Sequence, residues 1–324
     1  MGITNFDVIN ALNLRNGASL GIGNIYWVMQ TTHGYYGQFC KDRNFMYPDG
    51  SYSVQSTIQA ALDATVANRN DYVVVMPDNS DYDLTAALTM SKNRVHLICP
   101  DGIGNRGMNN FCRIHQITAT TQCIVVTADC VEIAGFFFKG YDGTAKDAPS
   151  IIHLSGTRWT AHIHDNFFGI GATASSSNYG ILADGACSHF NIHDNYFTNY
   201  SPTLLTGTAN DIAAFIGITS ASSTRGIIAR NVMHTGPNTT VASGITNVGT
   251  GMLVDSNYIW ENSAVGSYDA GVLTKGITLT SDGFATNNRI AVATASNAIT
   301  GGTADASANQ NFESENGGTV IEVV

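Results

Sequence analysis

A repeated eight-residue segment with asparagine at a fixed place constrains this chain more than any other feature. Its copies are VEIAGFFF, AHIHDNFF, FNIHDNYF, GIIARNVM, MLVDSNYI and GFATNNRI, and successive copies lie 30, 29, 36, 26 and 31 residues apart. A repeat of this length predicts a stack of similar units. The sixth column holds phenylalanine once and then asparagine five times: Phe136, Asn166, Asn195, Asn231, Asn257 and Asn288.

Two apolar columns accompany this asparagine column. Three places before it stand Ile133, Ile163, Ile192, Ile228, Val254 and Ala285. Two places after it stand Phe138, Phe168, Phe197, Met233, Ile259 and Ile290. A second strand-like run precedes most copies, namely SIIHL, YGILA, AFIGI, SGITN and AGVLT. Because no single unit can bury its own apolar face, we expect the units to share one interior.

We therefore predict an all-β solenoid in which each unit is one coil and turns a corner at the asparagine. A strand that bends inward passes one residue through a left-handed conformation, which asparagine tolerates better than most residues. The side-chain amides would stack about 4.8 Å apart, the spacing between paired strands. The predicted structural ladder consists of Asn166, Asn195, Asn231, Asn257 and Asn288.

One helix is predicted before the repeats, over about residues 56–67. The run Ser56-Thr57-Ile58-Gln59 has the form of a capping box, and Ile58, Ala61, Leu62 and Val66 follow on one helical face. A helix at this place would cover the open end of the stack, whose strand edge would otherwise invite aggregation.

Three regions are predicted. Residues 1–24 form an extended anchoring arm, residues 25–300 the solenoid with its capping helix, and residues 301–324 a polar linker with a terminal strand. The terminal run TVIEVV is expected to pair with the last coil, a sister subunit or another protein. The arm would bind through its apolar side chains: Ile3, Phe6, Val8, Ile9, Leu12 and Leu14.

Charge and composition exclude several classes of function. The chain has 15 Lys+Arg against 25 Asp+Glu, a formal charge of -10, and no basic run, which argues against a nucleic-acid partner. No apolar stretch reaches the roughly 18 residues that span a bilayer, so no membrane partner is predicted. The six cysteines form no C-x-x-C pair, and Gly21-Ile22-Gly23 lacks the third glycine of a dinucleotide site. No cofactor and no metal are predicted.

The position just before the asparagine column offers the best candidates for catalysis. Asp165 and Asp194 would lie about 5 Å apart on adjacent coils, compatible with a shared cation or a carboxylate pair, and Arg230 would follow on the next coil. The alternative is structural, since aspartate at a corner commonly bonds the local backbone and Asp194 with Arg230 forms an inter-coil ion pair. We favour the structural interpretation.

Histidine and tryptophan give two further candidates. His164 and His193 repeat with the aspartates in the HDN triplets, and a surface ladder is favoured over a metal pair because no third ligand is indicated. Trp159 and Trp260 are interpreted as packing at the edge of the core in preference to binding sugar rings.

The pattern I-x-x-N-x-F, preceded by TIQAALDA and YVVVMP, resembles the right-handed parallel β-helix proteins of the pectin-lyase-like fold over roughly residues 54–300. Phe136 departs from the asparagine column, so the ladder is expected to start one coil later. The order of ITNF, YWV, a glycine-containing loop, STIQAALDATVANRNDYVVVMP and the repeats is similar to that of bacteriophage proteins that decorate capsids or form spikes.

This resemblance implies a non-enzymatic virion protein, a capsid decoration or head-spike subunit on the outer surface of the capsid. Its partners would be the major capsid protein, bound by the arm, and two further copies in a homotrimer. The net negative charge fits an exterior location, since packaged DNA would repel it. Two alternatives stay open. One is a tailspike-like polysaccharide lyase or hydrolase that uses Asp165, Asp194 and Arg230, and the other is a spike that binds a host surface glycan without turnover.

Overall fold

The computed structural model describes residues 23–40, 54–100, 112–118, 120–139, 150–169, 179–198, 210–235, 239–261, 272–279, 283–292, 298–301, 310–312 and 320–322. These residues form a right-handed parallel β-helix, which confirms the predicted fold class. Neither helix in the described part of the chain is long and apolar enough to cross a bilayer. Residues 1–22 of the predicted anchoring arm, including all six of its apolar residues, lie outside the described residues.

Three long sheets run along the stack, and neighbouring strands in each sheet come from successive coils. In spatial order, sheet 1 contains β2 (Val54–Gln55), β1 (Ile25–Val28), β3 (Asp71–Val75), β6 (Val95–Ile98), β9 (Glu132–Ala134), β13 (His162–His164), β17 (Asn191–His193), β20 (Ile227–Ala229), β23 (Leu253–Asp255) and β26 (Phe284–Thr286). Sheet 2 contains β4 (Tyr82–Leu84), β7 (Cys112–Gln116), β10 (Phe136–Lys139), β14 (Phe167–Gly169), β18 (Tyr196–Thr198), β21 (Val232–His234), β24 (Tyr258–Trp260), β27 (Arg289–Ala291), β29 (Gln310–Phe312) and β30 (Val320–Glu322).

Sheet 3 contains β5 (Leu88–Met90), β8 (Ile124–Val126), β11 (Ser150–Leu154), β15 (Tyr179–Ala183), β19 (Asn210–Ile218), β22 (Thr239–Asn247), β25 (Val272–Leu279) and β28 (Ile299–Thr300). A small fourth sheet pairs β12 (Arg158–Trp159) with β16 (Cys187–Ser188). Strand β30 pairs antiparallel with β29, so the terminal strand lies against a strand of its own chain.

The two apolar columns form two sides of the core, and buried residues of sheet 3 such as Ile152 and Ile181 form the third. Ile133, Ile163 and Ile192 are in register on sheet 1 and fully buried. On sheet 2, the rings of Phe138 and Phe168 stack with centroids 5.2 Å apart, and Phe168 stacks on Phe197 at 4.5 Å. Burying such a side chain contributes about 1.5–3 kcal/mol, so the interior ladders supply much of the stability of each coil.

The helix near the start is shorter than predicted. Helix α2 spans Ile58–Ala64, after a short helix α1 at Tyr36–Phe39. Its N-cap is Thr57, whose hydroxyl oxygen accepts a hydrogen bond from the Ala60 N–H at 3.2 Å. Val66 lies beyond the last turn and is 47% exposed, so its predicted place on the buried face is wrong.

The predicted capping box fails for a tertiary reason. The side chain of Gln59 does not turn back to the helix start, because its Oε1 accepts a hydrogen bond from the Thr89 N–H at 2.8 Å. This bond ties α2 to β5. The buried residues Ile58, Ala61 and Leu62 pack toward the first strands of the stack, and α2 covers that end as expected.

The asparagine ladder closes the corner between sheets 1 and 2, although in a different conformation from the one expected. The left-handed residue is the one before Phe136 and before each ladder asparagine: Gly135, Asp165, Asp194, Arg230, Ser256 and Asn287. Asn195 itself is buried, and its Nδ2 donates to Ile163 O at 2.9 Å and to Asn231 Oδ1 at 3.0 Å. The left-handed residue turns its own side chain outward, so the next residue can direct its amide inward. The prediction that asparagine is left-handed is therefore wrong for the five ladder members.

Phe136 occupies the first place of the ladder without an amide. Its N–H donates to Asn166 Oδ1 at 3.1 Å, and Asn166 Nδ2 donates to Ile133 O at 2.9 Å. The amides thus begin one coil after Phe136.

Candidate functional site

The outer surface of sheet 1 carries a row of titratable groups from successive coils. Side chains alternate across a strand, so burying Ile133 turns Glu132 outward. Parallel pairing places Glu132 between His96 and His162, and sets His164 beside His193 on the next coil. Residues far apart in sequence therefore form one polar surface, which we call the sheet 1 face: Tyr72, His96, Glu132, His162, His164, Asn191 and His193.

Glu132 is held by two imidazoles. Its Oε2 lies 2.5 Å from His96 Nδ1, and its Oε1 lies 2.9 Å from His164 Nε2. Hydrogen bonds from His164 and His96 hold the pKa of the Glu132 carboxyl well below its usual range. The same contact with Glu132 raises the pKa of His164. Glu132 is thus an ionised carboxylate over the whole physiological range.

A cleft of about 610 Å³ opens beside this carboxylate. It lies where the strands of sheet 1 begin, next to a second left-handed corner that includes Arg94 and Cys130. Its lining residues are Asn68, Arg69, Asn70, Arg94, His96, Cys130, Val131, Glu132, Thr160 and His162.

The charged groups of the cleft differ in whether they are already paired with another residue or available to bind a ligand. Arg69 is bound to Asp71 at 2.7 Å and donates to the Tyr26 hydroxyl at 2.8 Å. Arg94 is exposed, and within the described ranges its guanidinium pairs with no carboxylate. Partial burial lowers the pKa of His162, so this imidazole is neutral at pH 7. The cleft therefore presents a guanidinium available to a ligand, a neutral base and a fixed carboxylate.

The structure brings together two of the three residues that were candidates for catalysis only under the enzyme alternative. Asp194 and Arg230 form a two-point ion pair, with Nη2 2.6 Å from Oδ2 and Nε 3.0 Å from Oδ1. This pairing lowers the pKa of Asp194. Asp165 bonds instead to its neighbour, with Oδ2 2.8 Å from His164 Nδ1. None of the three lines the cleft.

Sequence reasoning missed the residues that do line it. Arg94, His96, Glu132 and His162 stand at outward or corner positions, and a motif search does not find them because they are spread over several coils. Reading the outward column of the same repeat alignment would have found Glu132 beside His162. His164 and His193 form the expected surface ladder, with ring centroids 4.9 Å apart and planes at 1°.

One group in the described part of the chain has the composition of a metal site. Ligand atoms of Asp81, Asp83 and His115 lie within 4.8 Å of one another. Arg113 Nε lies 2.5 Å from Asp81 Oδ1, and His115 Nδ1 lies 2.9 Å from Asp83 Oδ1. These ion pairs account for the cluster without a cation.

The two tryptophans occupy different environments. Trp159 is 53% exposed and stacks on His189 with centroids 5.2 Å apart, so its predicted place at the edge of the core is wrong. Trp260 is partly buried and stacks on His234 at 5.0 Å on the outer side of sheet 2.

No protein-family model matches the chain, and no curated protein matches it either. A matching solved structure is that of DFA-IIIase from Arthrobacter chlorophenolicus A6 in complex with GF2. It is 13% identical, with a TM-score of 0.26, and the match covers 92% of this chain and 72% of that chain.

This finding contradicts the prediction of a non-enzymatic protein, because the matched β-helix is an enzyme. That prediction is therefore corrected. At this identity and TM-score the likeness carries no reaction or substrate over to the present chain. The residues of its own cleft decide which chemistry the chain can support.

Proposed function

We propose that this protein is a polysaccharide lyase that acts on an acidic glycan in the cleft of sheet 1. The observation that carries the proposal is the presence of the neutral His162 imidazole and the exposed Arg94 guanidinium in the same cleft. A guanidinium is the preferred partner of a carboxylate, and a neutral imidazole accepts a proton at physiological pH.

The chemistry is a β-elimination on a uronic acid unit. Arg94 pairs with the sugar carboxylate and stabilises the negative charge that develops on it. His162 takes the proton from the carbon next to that carboxylate. The electron pair forms a carbon–carbon double bond, the neighbouring bond to the glycosidic oxygen breaks, and the leaving oxygen takes up a proton.

Elimination agrees with the cleft better than hydrolysis. Glycoside hydrolysis commonly uses a pair of carboxyl groups, one of which gives a proton. Glu132 is the one carboxylate among the described lining residues, and its low pKa leaves it no proton to give. Its role is to orient the imidazoles around it.

The test is incubation of the full chain with polygalacturonate, alginate and hyaluronate. The ultraviolet absorbance of the new double bond measures elimination, and reducing ends that form without it would indicate hydrolysis. His162→Ala and Arg94→Ala should lower the rate at least a hundredfold. Absence of cleavage of all three polymers by the unchanged, folded protein would refute the proposal.

Matched controls exist for these variants. Arg225 is an exposed arginine with the same left-handed backbone conformation as Arg94, and it lies outside the cleft. Arg225→Ala should therefore keep nearly full activity. Asp194→Ala and Arg230→Ala should do the same, because that ion pair is also outside the cleft. If the controls lost as much activity as His162→Ala and Arg94→Ala, the assignment of the cleft as the active site would be contradicted.

We further propose a tailspike-like setting, in which the lyase stands on the outer surface of a phage capsid or tail and degrades a host surface glycan. The support is the order of segments that resembles phage structural proteins. In this setting residues 1–24 anchor the protein to the major capsid protein, and three copies associate.

A further inference from the structure

Trp159 lies beside the cleft and is held rigidly by its backbone. Its N–H donates to Asp129 Oδ1 at 3.0 Å, and its carbonyl accepts from Cys130 N–H at 2.8 Å. Cys130 and the residue after Trp159, Thr160, both line the cleft. The backbone of Trp159 is therefore bonded to Cys130, which lines the cleft, and to its neighbour Asp129, which places the indole at the margin of the cleft.

One face of the indole is available to a ligand. The ring stacks on His189, which lies on the following coil, at an interplanar angle of 20°. His189 covers one face of the ring, and 53% of the residue is exposed, so a flat apolar surface meets solvent beside Thr160, which lines the cleft.

The surroundings of this ring are polar. Its neighbours are Asp129, Arg158 and Thr160 on its own and the preceding coil, and Ser188 pairs with it in the short sheet. A protein partner would be expected to need a wider apolar patch. A single aromatic plane with hydrogen-bonding groups around it matches a pyranose, which has a C–H face and a rim of hydroxyls.

We propose that Trp159 is a sugar-stacking platform at the margin of the cleft that binds a pyranose unit of the same polysaccharide beyond the two units a disaccharide would place in the cleft. This inference rests on the cleft as the glycan site. It makes the protein selective for polymers, because a short oligosaccharide that fills the cleft does not reach the indole.

The test measures binding of oligogalacturonates, from disaccharide to hexasaccharide, by calorimetry to the His162→Ala variant, which prevents turnover. Adding Trp159→Ala should weaken binding of the hexasaccharide about threefold to tenfold and leave the disaccharide unchanged. Trp159→Phe should retain most of the affinity. The control is Tyr258→Ala, which removes an aromatic of similar exposure, 45%, on sheet 2.

Equal binding of the whole series with and without the indole would overturn the inference, as would an equal loss in Tyr258→Ala or no binding of the hexasaccharide at all. The two proposals fail separately. If binding depends on Trp159 but the unchanged protein cleaves no polymer, the lyase proposal is refuted and the proposal of a sugar-stacking platform stands. If cleavage occurs but does not depend on Trp159, only the proposal of a sugar-stacking platform is refuted.

Discussion

The Nε2 atom of His164 lies 2.9 Å from Oε1 of Glu132, a residue 32 positions earlier and one coil away. The other ring nitrogen lies 2.8 Å from Oδ2 of Asp165 at the left-handed corner. One imidazole therefore bridges two carboxylates and joins the sheet 1 face to the corner. This contact makes both the stability and the chemistry of the face dependent on pH.

The first prediction concerns stability against pH. The pKa of Glu132 is lowered from 4.5, so its contribution is complete above 4.5 and is lost as pH falls through the folded-state value. The pKa of His164 is raised from 6.5, so its contribution is complete below 6.5 and is lost as pH rises through the folded-state value. The contact between Glu132 and His164 should therefore stabilise the fold most between pH 4.5 and pH 6.5.

His164→Gln should lower the free energy of unfolding by about 2 kcal/mol in that window and flatten the profile. Urea denaturation over a pH series measures it. His33→Gln is the control, because His33 pairs with no carboxylate among the residues that the structure describes. An unchanged profile in His164→Gln would contradict the prediction.

The second prediction concerns the pH dependence of cleavage. His162 acts as a base only when neutral, and burial lowers its pKa from 6.5, so the acid limb of the rate profile should have its midpoint below 6.5. The charge of Glu132 raises the pKa of His162, and Glu132→Gln should therefore move that midpoint to lower pH. Initial rates over a pH series test both statements. A midpoint above 6.5 would exclude His162 as the base.

The third prediction compares two left-handed corner residues. Gly135 has φ +85°, and a Cβ there would overlap the carbonyl oxygen of Cys99, so Gly135→Ala should cost about 3 kcal/mol. Ser256 has φ 54°, and Ser256→Gly should stabilise the fold by about 0.5 kcal/mol by relieving strain. Thermal and urea unfolding measure both changes. The two variants should change the free energy of unfolding in opposite directions. Destabilisation of both would contradict the account of the corner.

The fourth prediction concerns the asparagine ladder. The Oδ1 of Asn231 accepts from the Asn195 N–H at 3.1 Å and from Asn195 Nδ2 at 3.0 Å, all buried. Asn231→Ala leaves the buried Asn195 N–H without its acceptor and Ile192 O without its amide donor, and should cost about 3–5 kcal/mol in the free energy of unfolding. Asn287→Gly, one place before a ladder member and exposed, should change it by less than about 0.5 kcal/mol. Similar losses would show that the amides are not what closes the corner.

The fifth prediction tests the proposed virion setting. Removing residues 1–22 should abolish co-sedimentation with shells of the major capsid protein and leave glycan cleavage intact, since Gly23 and Asn24, which bond to Asn70 and Asp71, are kept. Retained co-sedimentation would exclude the arm as the anchor.

The features of this protein that could be predicted from its sequence are those that the repeat specifies. Burial of Ile133 and Phe138 could be read from alternation, because a period of two and a fixed repeat decide which side chains face inward. The backbone conformation at the corner could not be predicted in this way, because Asp165 and Asn166 are both acceptable in the left-handed conformation. The backbone places the turn one residue earlier so that the amide of Asn166 reaches Ile133 O.

The stack of coils, its apolar interior and its ladder of amides follow from the sequence, because these depend on local period and side-chain type. The site needed the tertiary structure. The repeat alignment places Glu132 beside His162, but His96 precedes the aligned copies, and only the register of the parallel strands brings it to Glu132. Likewise, the exposure of Trp159 depends on how far its corner projects past the coils above and below, which residue type does not encode.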